Sequence, residues 1–186
     1  MYRLNEVHHV RATPAPEQKT KTCSSLTAVD LVTLEDVRQL KYRYLRTLDS
    51  KQWDDFADTL TTDVDATYGK RLAFTGRDAV VEYMRTSLPP TIITVHQCHH
   101  PEITLDGDRA RGTWYLYDKV LVLEHRLMLT GAAFYDDDYV RGPDGTWRIA
   151  RTSYVRTYEA MEKLDDTWHL TANRWAPEGE PEAATT

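Results

Sequence analysis

The chain has 186 residues, with 23 basic and 29 acidic side chains, a formal net charge of -6 and 41% hydrophobic residues. This length predicts one domain and allows a real core, since such a chain buries roughly 70% of the surface that its unfolded form exposes. An acidic chain without a basic block is a poor binder of nucleic acid or anionic membrane, and no apolar run of about 18 residues predicts a membrane helix. The stretch MYRLNEVHHVRATPAPEQKTKTC lacks the apolar centre of a secretory signal, so a cytoplasmic location is expected.

Residues 1–30 are polar and aperiodic, carry Pro14 and Pro16, and read as a flexible leader. The folded unit is expected over 31–175, followed by a Pro/Glu/Ala-rich, disordered tail over 176–186. "TLEDVRQLKYRYLRTLDS" predicts the first helix. Leu34, Val37, Leu40, Tyr44 and Leu48 recur along one apolar face, and Thr33 with Asp36 resembles a capping box. The same periodicity puts Tyr44 on the buried side. Trp53, Phe56 and Leu60 predict a second helix, with Ser50 as its candidate N-cap. "GRDAVVEYMRTSL" predicts a third, which stops at Pro89-Pro90. Beyond Pro90 the pattern changes to strands. The stretch 92–104 is β-branched and interrupted by Pro101, and Asp106-Gly107 signals a hairpin. "ARGTWYLYDKVLVLE", "LMLTGAAFYDDDYV" and, after the turn "GPDG", "TWRIARTSYVRTYE" are further strands. This order predicts an α+β fold. About three N-terminal helices should cover one face of a curved, mixed or antiparallel sheet and leave a small-molecule pocket between the layers.

Several residues break the pattern. Ala110, Gly112, Trp114, Leu116 and Asp118 share one parity of their strand. If that is the core face, Asp118 points inward and needs a cation or donors; the alternative is that the strand ends or bulges and Asp118 is solvated. Asp49 sits at the end of the first helix, where a carboxylate opposes the macrodipole. It either has another use or caps the next helix. Arg156 lies late in the last strand, as an ion-pair anchor, a clamp for a substrate carboxylate, or a surface arginine. "TVHQCHHPEIT" holds His96, His99 and His100 beside Cys98. The spacing sends His96 and His99 to opposite faces of a regular strand, which disfavours joint chelation. Cys23 and Cys98 form no zinc-type spacing. Acid–base work needs only one histidine oriented by a carboxylate.

"YRYLRTLDSKQWDDF", "TVHQCHHPEIT", "GTWYLYD", "GAAFYDDDY", "DGTWRI" and "YVRTYE" occur in this order across roughly 33–175. In this the chain resembles the SnoaL-like branch of the NTF2-like α+β cone superfamily and, within it, the bacterial bile acid 7α-dehydratases. The stretch between Asp118 and Gly131 is shorter than in those dehydratases, and the leader has little match. The resemblance implies a catalytic set of Tyr44, Asp49, His96 and Asp118, with Arg156 lining the pocket. Tyr68, Tyr115, His99, Phe134 and Tyr154 are further substrate-binding candidates.

What the resemblance implies is loss of water from a hydroxysteroid already oxidised to a 3-oxo-4-ene. His96 would be the base, oriented by Asp49; Tyr44 would donate to the carbonyl oxygen; Asp118 would assist the departing hydroxyl as an acid. No metal or organic cofactor is expected. The expected partner is a steroid-like hydrophobic small molecule, and a homo-oligomer, dimer or trimer, follows from the resemblance alone. The alternatives are a ketosteroid-isomerase-like enzyme, a polyketide cyclase, or a non-catalytic ligand-binding module of the same fold.

Overall fold

The computed structural model describes residues 26–69 and 72–175. The expected leader up to residue 25 and the tail from 176 lie outside the described residues. Among the described residues, three α-helices and six strands follow in the order α1 (Ala28–Asp49), α2 (Trp53–Asp58), β1 (Leu60–Tyr68), β2 (Leu72–Thr75), α3 (Arg77–Ser87), β3 (Ile92–Asp106), β4 (Arg109–Val122), β5 (Leu127–Arg141) and β6 (Trp147–Lys163), with a 3-10 turn over Leu123–His125 between β4 and β5. The fold class is the expected α+β. The strands form one sheet in the order β2-β1-β6-β5-β4-β3. β1 runs parallel to β6, and every other pair is antiparallel.

Helix α1 begins earlier than its apolar periodicity suggests. Thr27 is the N-cap: its hydroxyl accepts from Asp30 N–H at 3.1 Å, and its own N–H donates to the Asp30 carboxylate at 2.8 Å. The capping box is therefore Thr27/Asp30, and Thr33, expected as the cap, is a buried residue in the helix interior. Val37, Leu40, Tyr44 and Leu48 form the predicted inward face, while Leu34 stays half-exposed. The second helix is short. Its N-cap is Gln52, and Ser50 instead caps the C-terminus of α1. Leu60 opens β1 rather than closing α2. Val64, Ala66 and Tyr68 alternate into the core along that strand, a period of two that the Trp53/Phe56/Leu60 spacing masks.

The helices pack on the sheet face carrying Trp114, Leu116, Tyr135 and Ile149. Full burial of a side chain such as Phe56 or Leu60 contributes about 1.5–3 kcal/mol. The break expected at Pro101 is a bulge. His100 adopts φ 47°, and the register slips by one residue between His99/Tyr115 and Glu102/Thr113. The slip exchanges the faces of the strand. Cys98 points inward before it, and Ile103 and Leu105 point inward after it.

Candidate active site

A cavity of about 160 Å³ opens between the helices and the sheet, walled by α1, β1, α3 and β3 to β6. Tyr44, Tyr68, His96, Asp118, Tyr154 and Arg156 all line it.

Asp49 does not cap α2. Its carboxylate turns onto β3, where Oδ1 accepts from the Thr94 hydroxyl at 2.8 Å and Oδ2 from the His96 backbone N–H at 2.8 Å. The His96 ring lies against the same carboxylate, Nδ1 to Oδ1 at 2.6 Å. A carboxylate only accepts, so Nδ1 carries the proton between them, and whenever the ring is neutral its lone pair is on Nε2. The helix terminus thus fixes the position, the orientation and the tautomer of His96. The side chains of His96 and Asp49 are 13% and 23% exposed, so the dyad is reachable yet mostly shielded from water.

Asp118 is Cα-paired with His96 across β3 and β4, and it points to the same face. It is 2% exposed, which settles the parity question in favour of the core face. Arg156 meets it in a bidentate pair, Nη1 to Oδ1 at 2.5 Å and Nη2 to Oδ2 at 2.8 Å. Burial works to lower the Arg156 pKa, but the hydrogen bonds and charge of Asp118 outweigh it and hold the guanidinium above its ordinary value. Both Asp118 oxygens accept from Arg156, so the carboxylate is taken up in anchoring the arginine. The acid role expected for Asp118 loses its basis in this geometry.

The guanidinium reaches Asp118 by crossing β5 at Gly131, the strand partner of Asp118. A Cβ at that position would overlap Arg156 Nη1. Gly131→Ala is therefore expected to displace the guanidinium and leave a buried carboxylate poorly compensated. The expected loss of stability is about 1–3 kcal/mol, read as a lower urea midpoint with an unchanged slope. An unchanged midpoint would mean that the guanidinium finds an equivalent position.

Tyrosine hydroxyls supply the neutral donors. Tyr44 and Tyr68 share a hydrogen bond of 2.9 Å. Burial raises both well above the ordinary phenol value, so both stay protonated. One hydroxyl donates to the other, and the acceptor of that bond keeps its own proton for a further partner. Tyr154 packs against both Tyr68 and Tyr135, its ring 5.8 Å from the first and 5.5 Å from the second.

Three sequence candidates lie elsewhere. Tyr115 and Phe134 pack edge to face on the outer side of the sheet, 39% and 48% exposed. Their parity is opposite to that of Asp118 and Tyr135, which is why they cannot face the cavity. His99 is Cα-paired with Tyr115 and is exposed on the same outer side. Inward Cys98 is separated from it, and burial pushes the Cys98 thiol up to about 12. Sequence reasoning missed Gly131, Tyr135 and the buried pair Lys41–Asp137. The pair had a signal: Lys41 stands four residues after Val37 and three before Tyr44 on the inward face of α1, and Asp137 shares the parity of Tyr135 and Tyr139.

A cavity holding a histidine–carboxylate dyad thus lies under helices that cover one face of a six-stranded sheet. A sequence profile of the SnoaL-like domain matches residues 30–153, and the chain belongs to that NTF2-like family. An uncharacterised Mycobacterium tuberculosis protein is 24% identical over 140 residues, covering 74% of this chain and 95% of the relative. Solved structures share the fold. A Novosphingobium aromaticivorans protein named for scytalone dehydratase has a TM-score of 0.67 at 21% identity, over 84% of this chain and all, 100%, of that one. A hexachlorocyclohexane dehydrochlorinase, LinA type 2, has a TM-score of 0.66 at 20% identity, over 81% and 97%. ActVI-ORFA from Streptomyces coelicolor has a TM-score of 0.59 at 17% identity, over 68% and 98%.

Proposed function

We propose that the chain is a cofactor-independent lyase that removes water from a cyclic hydroxyketone, with a 3-oxo-4-ene 7-hydroxysteroid of the bile-acid type as the substrate. One observation carries this reading. A histidine tied through Nδ1 to a carboxylate stands in the wall of a tyrosine-lined cavity, directly opposite an arginine-held carboxylate. Two fold neighbours are named for a dehydratase and a dehydrochlorinase, both eliminations.

In this scheme the carbonyl acidifies the γ carbon through conjugation. His96 Nε2 takes the γ proton, and negative charge moves to the carbonyl oxygen, where a tyrosine hydroxyl stabilises it. The C–O bond then breaks, and the departing hydroxide leaves as water with the proton that His96 took. Arg156 retains N–H groups that can face the departing oxygen while Asp118 holds the guanidinium in place. The cavity of about 160 Å³ is smaller than the roughly 300–1,000 Å³ of pockets for drug-sized ligands. A steroid would seat its reacting rings inside and leave the remainder at the mouth.

Incubation with the hydroxysteroid, followed by mass analysis, tests the reading. The expected product is lighter by one water. A product of unchanged mass points to isomerisation or cyclisation by the same dyad, and binding without turnover points to a ligand-binding module; either result overturns the lyase assignment.

A further inference from the structure

Lys41 is the least expected residue of the core. It is 0% exposed in the middle of α1, and its ammonium lies 2.7 Å from Asp137, which is also 0% exposed. Asp137 accepts in addition from the Tyr139 hydroxyl at 2.8 Å and the Thr152 hydroxyl at 2.7 Å. Tyr139 in turn accepts from Trp114 Nε1 at 2.8 Å. An ion pair in such a place is a poor device for stability, because apolar side chains of similar volume serve as well or better.

Its position gives it another use. The Lys41 ammonium sits 3.4 Å from the centre of the Tyr135 ring and 4.8 Å from that of Tyr44. Both tyrosines line the cavity. The cation therefore backs the phenolic wall against which the proposed reaction develops an oxyanion. A positive charge on a ring face holds the ring by cation–π attraction. In a water-poor environment a fixed charge of this kind acts over a longer range than it does in water.

We propose that Lys41 is a positioning residue for this site: held by Asp137, it fixes Tyr135 and Tyr44 and strengthens the cavity wall for a ring-borne oxyanion. The role rests on the elimination reading above for its use in turnover, but it can be tested apart from it. The probe is 2-naphthol, a two-ring enol whose ionisation is read from its absorbance. Its pH titration is compared in the wild type and in Lys41→Met/Asp137→Asn, a neutral pair that keeps the side-chain shapes. The ionisation midpoint of bound naphthol is expected to lie about one pH unit lower in the wild type, a tenfold preference for naphtholate. Turnover of the hydroxysteroid is expected to fall roughly 10- to 100-fold in kcat, with KM little changed. Tyr135→Phe keeps the ring and removes the hydroxyl; it is the second variant and is expected to move the midpoint in the same direction. Equal midpoints in a folded double variant, or an unmoved midpoint in Tyr135→Phe where the double variant does not fold, overturn the role of Lys41. So does absence of naphthol binding by the wild type. A Lys41-dependent midpoint in a protein without turnover supports the role of Lys41 and overturns the elimination reading instead.

Discussion

His96→Ala is expected to lower turnover at least about 100-fold while the protein stays folded, because one general acid–base group typically contributes 10²–10⁴-fold. The size of the effect follows from geometry. His96 is the group in the cavity wall with both a lone pair available and a carboxylate behind it to stabilise the imidazolium. Asp49→Asn is expected to lower turnover as well, since an amide can donate to Nδ1 and so favours the wrong tautomer. It should also loosen β3, because Asp49 accepts from the Thr94 hydroxyl and the His96 backbone. Single-turnover rates of the two variants, measured beside thermal melts, separate lost chemistry from lost structure. Full turnover by the alanine variant would move the base to another residue.

Asp137→Ala carries the largest expected cost in stability, about 3–5 kcal/mol, the usual range for breaking a buried ion pair from one side. The variant leaves the Lys41 ammonium buried without its counter-charge and strips an acceptor from Tyr139 and Thr152. Against a total stability of roughly 5–15 kcal/mol for a natural protein, that loss is a large fraction. Urea denaturation of the variant reads it directly as a fall in midpoint. A change below about 1 kcal/mol would show that the ammonium is accommodated without its partner. The neutral pair Lys41→Met/Asp137→Asn should recover much of the loss, since it removes both charges together.

The legible parts of this fold are those in which a period runs uninterrupted. α1, α3 and β4 each show one clear repeat, whereas β3 changes faces at its bulge, and the parity of Trp114 and Leu116 correctly places Asp118 inward. β1 and β2 were hidden because Trp53, Phe56 and Leu60 imitate a helical spacing up to the residue at which the strand begins. The start of α1 was misplaced because Thr33 and Asp36 mimic the pattern that Thr27 and Asp30 form. In the site, Tyr44 and Asp118 are legible as polar groups on inward positions and Asp49 as a carboxylate at a helix end, whereas the roles of His96 and Arg156 rest on the family resemblance. Tyr115 and Phe134 went astray because an aromatic on a long strand suits either face, and parity alone decides. Gly131 left no trace in periodicity, since its contribution is the absence of a side chain where Arg156 crosses the sheet.

The most direct test of the His96–Asp49 site as an eliminating centre is ultraviolet absorbance during incubation with a 3-oxo-4-ene 7-hydroxysteroid. Loss of water extends the conjugated system, so the product absorbs at longer wavelength than the enone. The account predicts that this band grows with wild-type protein and grows at least about 100-fold more slowly with His96→Ala. Equal growth with both proteins, or none with the wild type, would contradict it.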